Sequence, residues 1–362
     1  MICVVSIVDS ISATSMPVNE FVIYRSVHNY EMRQIMIACD TKTSENVVLP
    51  SNVEVHLVGS DYRKIRKLVR RIKKECSECG DSVVYHMHHQ KSALTFLMAT
   101  MFLGIRKHAL YTVHSTFSGR DIKYRISSCI CALTVRYANC VSRAAYQEYA
   151  SIVKRIKRHH FVAIPNGVDV ARIDGIIERD VVQKERKTLI CVGRMIPLKN
   201  HPFLIRLMKL LPEYRLILVG AEDKEEKIRD LAKKEGIDDR VEFKGMIPRD
   251  DVFKELGLAA IYVSASRVEG LPVSVLEAMS VGLIPIISDI MPHKEIAEQC
   301  AEVRVLPLNE AIWADTISRI NELTDKEFFD ITEKIKSSVQ EQFSLDKMHE
   351  QYYAIYQELT RK

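Results

Sequence analysis

The chain has 362 residues, 47% hydrophobic and 27% charged, with a formal net charge of +5. That length favours two domains over a single core, and the balanced composition excludes disordered, collagenous and membrane-embedded classes. The longest apolar runs, such as ALTFLMATMFLGI at 93–105, fall short of the roughly eighteen residues that a spanning helix needs.

From the start, MICVVSIVDS is apolar but has no basic leader and is interrupted by Asp9, so it is predicted as a buried first strand rather than a signal peptide. Further strands are predicted at 34–39, 53–58, 82–87, 109–114 and 160–164, with helical patterns near 62–78, 91–104, 121–137 and 143–156. Such alternation marks parallel α/β layers. Within it, RKIRKLVRRIKK at 63–74 sets Ile65, Leu68, Val69 and Ile72 on one helical stripe among eight cations. The stripe is expected to pack on a sheet, while the cations from Arg63 to Lys74 face either solvent or an anionic membrane surface. No aromatic interleaving or binding motif accompanies them, which speaks against nucleic acid. The first half of the chain is basic and the second slightly acidic, so an anionic partner belongs to the first.

Nine cysteines lie scattered without a framework spacing, which fits a reducing cytoplasm. The lone pair Cys76 and Cys79 lacks a second pair or a histidine partner at zinc-finger distance. HMHH at 86–89 resembles a metal cluster in composition, but strand-end spacing is expected to send its members in different directions. A cleft-lining or simply polar role is the better expectation, and no metal site is expected.

IPNGVDVARID at 164–174 then breaks the pattern with a proline and an Asn-Gly turn signal. A second series of strands is predicted at 188–193, 215–220, 241–245, 259–265 and 283–288, each too apolar for a sheet with one face in water. The fold expected is α/β, with two doubly wound Rossmann-like domains facing across a cleft. Their bounds are 1–165, a linker at 166–186, 187–343, and a C-terminal helix at 344–362. In such sheets ligands sit beyond the carboxyl ends of the strands.

Two loops carry chemistry at such ends. RVEGLPVSVLEAM at 267–279 sets Glu269 before, and Glu277 one turn inside, a helix predicted over Val273 to Val281. Gly270 lets backbone approach a ligand and Pro272 suits a first helical turn, so the amides of Gly270, Leu271, Pro272's neighbour Val273 and Ser274 form an anion site. The two carboxylates, standing apart from that anion, suit the paired hydroxyls of a sugar or ribose. VGRMIPLKN at 192–200 offers Arg194 and Lys199, two cations able to meet a diphosphate and stabilise a departing nucleotide. The chain contains no Asp-x-Asp, so the usual carboxylate grip on a metal-nucleotide is missing and a metal-independent enzyme is expected. No GxGxxG follows any strand, which leaves a nicotinamide dehydrogenase unsupported.

EGLPVSVLEAM, VGRMIPLKN and IPNGVD, three motifs in the right order along the chain, resemble the retaining family 4 glycosyltransferases of the GT-B fold, especially bacterial ones that build capsular, exopolysaccharide or lipopolysaccharide chains. The resemblance implies that Glu269 contacts the transferred sugar, Glu277 the ribose, and Arg194 and Lys199 the diphosphate, with His114 beside the sugar. Gly270, Leu271, Pro272 and Val273, with Asn166, Met246 and Ile247, complete the donor-binding set. It further implies a nucleotide-sugar donor, UDP-linked in the first instance, no separate cofactor, a lipid-linked glycan acceptor, and attachment at the inner face of the cell membrane. FSLDKMHEQYYAIYQEL at 343–359 resembles the family's last helix, which returns to the first domain. The chain departs from the family in two loops: DSISATSMP at 9–17 holds no glycine, and DIMPHKEI at 289–296 replaces a glycine-rich donor loop while keeping Glu295. A sugar-nucleotide epimerase of the same fold and a non-catalytic partner subunit are the alternatives.

Overall fold

A computed structural model describes residues 1–11, 16–28, 32–40, 49–179, 184–222 and 227–361. Residues 12–15, part of the glycine-free segment singled out above, and residues 180–183, within the expected linker, lie outside the described residues. The chain divides into two compact units, Met1–Asn166 with Leu345–Lys362, and Gly167–Ser344.

The first unit holds a seven-stranded parallel sheet in the order β3-β2-β1-β4-β5-β6-β7. Its strands are β1 Ile2–Val8, β2 Met32–Ala38, β3 Val53–Leu57, β4 Ser82–Met87, β5 Ala109–Val113, β6 Tyr137–Cys140 and β7 Phe161–Ala163. Its helices are α1 Met16–Val27, α2 Tyr62–Glu78, α3 Gln90–Ala99, α4 Ile122–Thr134, α5 Arg143–Glu148 and α6 Ser151–Lys157, completed by the last helix of the chain, Leu345–Thr360. β1, β4 and β5 are buried almost throughout because helices cover both faces. Ile65, Leu68, Val69, Ile72 and Cys76 of α2 join Phe96, Cys131 and Val153 from α3, α4 and α6 in one core. On the opposite face Phe21 and Tyr24 of α1 join Leu345, Tyr352, Ile355 and Tyr356 of the last helix.

The α2 stripe is the one expected from its spacing, and the helix starts where Asp61 accepts from the amides of Arg63 and Lys64 at 2.9 and 3.1 Å, the usual carboxylate cap. Other boundaries differ from expectation. The pattern at 143–156 is two helices, because Tyr149 turns extended to bury its ring, its hydroxyl 2.9 Å from Ser128 Oγ. The pattern at 121–137 ends at Thr134 so that β6, four residues long and fully buried, can pair with β5. Helix α1 was not foreseen at all.

The second unit holds a six-stranded parallel sheet in the order β10-β9-β8-β11-β12-β13. The strands are β8 Glu185–Val192, β9 Arg215–Val219, β10 Val241–Gly245, β11 Ala259–Ser264, β12 Ile284–Ser288 and β13 Arg304–Leu306. Its helices are α7 Val170–Ile177, α8 His201–Lys209, α9 Ile228–Lys234, α10 Arg249–Leu258, α11 Val273–Ser280, α12 Met291–Ala297, α13 Glu310–Asn321 and α14 Asp325–Gln342. The short edge strand β13 is the one strand of this unit without a sequence counterpart, being three residues and only half-buried.

At the carboxyl ends of β8 and β9 the backbones nearly touch. Gly193 N donates to Val219 O at 2.8 Å, and a Cβ on Gly220, which has φ +140°, would stand 2.1 Å from Gly193 O. Only glycine fits there. Gly220→Ala should therefore displace the β8 loop and cost about 3 kcal/mol, measured as a lowered urea midpoint, whereas Gly236→Ala, with open space around it and a positive φ of 67°, should cost about 1 kcal/mol from backbone strain alone.

Candidate functional site

The order of the second sheet reverses between β8 and β11: from β8 the chain runs outward through β9 and β10, then returns to place β11 on β8's other side. Loops leaving adjacent strands at such a reversal diverge to opposite faces and open a crevice at the carboxyl edge. Both motif loops leave from this point. Lys199, in the single turn Pro197–Lys199 after β8, donates from Nζ to Glu269 Oε1 at 2.6 Å across 70 residues of sequence. Asn200 follows in the left-handed conformation, φ 55°, and its Oδ1 accepts from Arg267 Nη2 at 3.2 Å, while Arg267 N donates to Leu198 O at 2.8 Å. The two loops are thus stitched together by side chain and backbone.

Glu269 is 11% exposed. Its burial pushes the carboxyl up, but the charge and hydrogen bond of Lys199, helped by His293 and Ser266, outweigh burial and hold it below the ordinary carboxylate value. It is therefore an ionised acceptor at neutral pH, suited to sugar hydroxyls or developing positive charge and not to donating a proton.

His293, from the loop-to-helix segment that replaces the glycine-rich pattern, was not singled out by its sequence. It is fully buried on α12, with Nδ1 2.7 Å from Ser288 O, so Nδ1 carries the proton and Nε2 is left as a bare acceptor. Burial pushes its pKa down to about 4 against the opposing influence of Glu269. Its Nε2 has no hydrogen-bond partner among the described residues, which marks a buried polar atom beside the carboxylate with capacity for a ligand. Glu295, two residues on, is also buried.

Helix α11 begins at Val273 after Pro272, and Val275 and Leu276 are the first of its amides to bond Pro272 O. The amides of Val273 and Ser274 point out of its N-terminus, where an anion is favoured. Tyr262 Oη fixes this end, donating to Ser274 Oγ at 2.9 Å and lying 3.3 Å from Val192 O. At the other end Lys184 Nζ donates to Val281 O and Gly282 O at 2.8 and 2.7 Å. Burial pulls that ammonium down to about 7, and its charge complements the negative helix end. Gly270 and Val273 are half-buried, and Leu271 and Pro272 buried.

Glu277 is 3% exposed and forms an ion pair with Arg249, the first residue of α10. Arg249 also lies over the Phe253 ring, 4.8 Å from its centroid. Nothing in the local sequence signals this pairing, since the partners sit on different helices and Arg249 reads as an ordinary surface cation of a helix start. Met246 and Ile247 fill the loop between β10 and α10, Met246 exposed. Arg194 is exposed on the β8 loop with no partner among the described residues, available to an anion.

His114 and Asn166 belong to the first unit. There the order reverses between β1 and β4, and the residues gathered at that point are histidines. His89 Nδ1 accepts from Asp9 N at 3.2 Å, Asp9 Oδ1 accepts from Ser92 N at 2.8 Å, and His88 Nδ1 lies 3.3 Å from His114 Nε2. Contrary to the expectation that the 86–89 histidines diverge, His86 and His88 lie two residues apart on one sheet face with ring centroids 3.8 Å apart; alternation sends only odd and even neighbours apart. Burial, with His89 nearby, pulls His114 down to about 3, so it is a neutral imidazole at physiological pH. No group of three or more His, Cys, Asp or Glu side chains among the described residues is arranged to hold a metal ion. Asn166 is buried at the end of the unit.

Residues 174–326 match the family model of glycosyl transferases group 1. Over 148 residues the chain is 31% identical to the GDP-mannose:cellobiosyl-diphosphopolyprenol alpha-mannosyltransferase of Xanthomonas campestris, 38% of this chain and 37% of that one. Over 244 residues it is 26% identical to the enzyme of the same description from Komagataeibacter xylinus, covering 64% and 60%. The chain thus spans between about two fifths and three fifths of these relatives' length. Sucrose-phosphate synthase from Thermosynechococcus elongatus superposes over 99% of both chains with a TM-score of 0.77 at 17% identity. Anabaena HepE in complex with UDP superposes over 98% of both with a TM-score of 0.73 at 14% identity. These likenesses fix the fold as two parallel-sheet α/β units of the GT-B class.

The Glu269 balance has a measurable sign. In the parent its lowered pKa contributes stability above the carboxylate's unfolded value, lost as pH falls through the folded one. In Lys199→Met only His293 and Ser266 remain to oppose burial, the Glu269 pKa rises, and the folded state gains relative stability as the carboxyl protonates. The stability gap between parent and variant should therefore be widest near pH 7 and narrow toward about pH 4, read from urea midpoints across pH; a gap that does not change with pH would contradict the assignment.

Proposed function

We propose that the chain is a retaining glycosyltransferase that moves a sugar from a nucleotide donor to a lipid-linked glycan, in the synthesis of a bacterial surface polysaccharide. The observation that carries the reading is the Lys199–Glu269 pair set at the strand reversal beside the amide end of α11. One cation, one ionised carboxylate and one ring of backbone donors are the three parts needed to hold a diphosphate next to a sugar. The relatives' names supply the substrate class: they are described as transferring mannose from GDP-mannose to a diphosphopolyprenol-linked sugar, and a structural neighbour holds UDP and glucose.

In this reading the donor diphosphate lies at the N-terminus of α11 with Arg194 and Lys199 on its oxygens. Charge building on the leaving phosphate is neutralised by those cations and amides, so no divalent ion is required. Glu277 presents one carboxylate oxygen to Arg249 and the other to the ribose hydroxyls, while Met246 and Ile247 border the base. Glu269 accepts from the transferred sugar and stabilises positive charge at its ring as the bond to phosphate breaks. His114, as a neutral imidazole, hydrogen-bonds the sugar. No helix among the described residues is long and apolar enough to cross a membrane, and the cations of α2 are read as the element that meets an anionic lipid surface at the inner face of the cell membrane.

A panel of UDP, GDP and ADP sugars should contain one donor that raises the unfolding temperature, because a ligand at 100 times its dissociation constant stabilises by about 2.7 kcal/mol. Transfer or hydrolysis of that donor should continue in excess EDTA; strict dependence on magnesium or manganese would overturn the metal-free reading.

The two glutamates should separate kinetically. Glu277→Ala should weaken nucleotide binding about tenfold, since the ribose is bound throughout the cycle. Glu269→Ala should lower kcat about a hundredfold at nearly unchanged nucleotide affinity. Equal effects of both substitutions on affinity alone would contradict the division of roles.

A further inference from the structure

Helix α4 is turned inside out for a helix packed on a sheet. Its buried residues are Ser128, Cys131 and Ala132, whereas Ile122, Ile126, Ile130 and Leu133 form a stripe in solvent, Ile122 being 65% and Ile126 55% exposed. An amphipathic helix ordinarily buries its branched aliphatic stripe and exposes small polar residues. Neighbouring elements repeat the feature: α6 exposes Ile152 and Ile156, one turn apart, and the turn after α3 exposes Met101 and Phe102, the latter 79%.

These elements form one continuous layer. Tyr62 of α2 donates to Met98 Sδ at 3.6 Å, Arg66 Nε to Ala99 O at 2.9 Å and Lys73 Nζ to Leu103 O at 2.8 Å, which lays the basic helix against the apolar turn. Gln90 of α3 reaches Ser127 of α4, and Lys157 of α6 donates to Val135 O just beyond α4.

The charge of the layer is one-sided. α3, α4 and α6 contain no Asp or Glu, and the acids of α2 are Glu75 and Glu78, each paired with a basic neighbour. Lys67 and Arg70 stand exposed with no ion pair among the described residues, and Lys123, Arg125 and Arg155 flank the isoleucine stripes in solvent. An exposed aliphatic surface edged by unpaired cations, its acids confined to the helix caps Asp61 and Asp121 and the paired Glu75 and Glu78, matches an anionic bilayer: cations at the phosphates, aliphatic side chains at the acyl boundary.

We propose that α4 and α6, with the Phe102 turn, form an insertion face that enters the acyl boundary of an anionic bilayer while α2 holds its headgroups. This deepens the reading of α2 given above and rests on it for orientation, but it makes attachment a two-part event: an electrostatic part that salt screens and an apolar part that it does not.

The test uses the purified full chain and vesicles of phosphatidylcholine with phosphatidylglycerol, and needs no sugar donor. Parent binding should persist in part at about 0.5 M NaCl, where the Debye length is about 4 Å. The triple variant Ile122→Gln, Ile126→Gln, Ile130→Gln should lose that salt-resistant part, with affinity down about tenfold or more, while keeping its donor hydrolysis. Lys67→Gln with Arg70→Gln and Lys74→Gln should weaken low-salt binding and leave the salt-resistant part. Trp313, the single tryptophan, is fully buried in the other unit and out of reach of lipid quenchers, so brominated acyl chains should quench only the emission that Ile126→Trp adds to the parent's. Parent-like high-salt binding by the isoleucine variant, or no quenching, overturns the proposal. So does an isoleucine variant that changes a parent dimer into a monomer in sedimentation without affecting vesicle binding, since the stripe is then a self-association face. Parent-like binding by the lysine and arginine variant, with loss in the isoleucine variant, removes the role of α2 and keeps the insertion face. Absence of sugar transfer bears only on the reaction, because none of these readouts depends on it.

Discussion

The ion pair between Lys199 and Glu269 is the constraint around which the second unit is organised. It exists because the sheet reverses between β8 and β11, so that loops from two adjacent strands leave in opposite directions and meet again at the crevice they open. Taking a carboxylate out of water disfavours its charged form, and a half-buried cation at hydrogen-bond distance is what keeps Glu269 ionised. Such pairs contribute little net stability after desolvation. Their consequence is positional: the carboxylate is held ionised and aimed beside the amide end of α11, with Asn200, Arg267 and Ser266 fixing the loops that carry it.

The same topology produces different chemistry in the first unit. Its reversal point gathers Asp9, His88, His89 and His114, where burial keeps His88 and His114 neutral. Beneath them His86 is held between Tyr356 Oη and Thr112 Oγ1, both at 2.7 Å, and Thr112 donates to Asn139, whose Nδ2 donates to Tyr352 Oη at 2.9 Å. This chain of buried hydrogen bonds ties the last helix of the sequence to the middle of the sheet. An apolar contact alone would permit several orientations of that helix, whereas a polar network inside a core is satisfied in one. The last helix thereby becomes part of the first unit although the whole second unit, Gly167–Ser344, separates it from β7 in sequence.

The two faces of the first sheet also differ in purpose. The face covered by α1 and the last helix is closed by aromatic packing, with Phe21 and Tyr352 rings 5.2 Å apart. The face covered by α2, α3, α4 and α6 is closed on its inner side by the same kind of core but leaves aliphatic side chains outside. A soluble helix layer gains nothing from exposed isoleucines, so their presence among cations is the feature that folding stability does not account for.

Much of this was legible in the residues alone. Runs of β-branched and aliphatic residues marked the strands of both sheets, because a strand covered on two faces must be apolar throughout; the α2 stripe followed from helical spacing, and Glu269, Glu277, Arg194 and Lys199 stood out because carboxylates and cations at strand ends have nothing else to do there. β6 and β13 were missed because four and three residues are too few to show a period, and α1 because its sequence mixes apolar and polar residues without a clear stripe. The pairings were not legible at all. Lys199 with Glu269, Arg249 with Glu277, Lys184 with the end of α11, and the bare nitrogen of His293 depend on which strands lie side by side. Local sequence encodes which faces are buried, through spacing that each segment carries within itself. Strand order is set by how whole helices cross over and pack, and only that decides which distant charges are brought within hydrogen-bond reach.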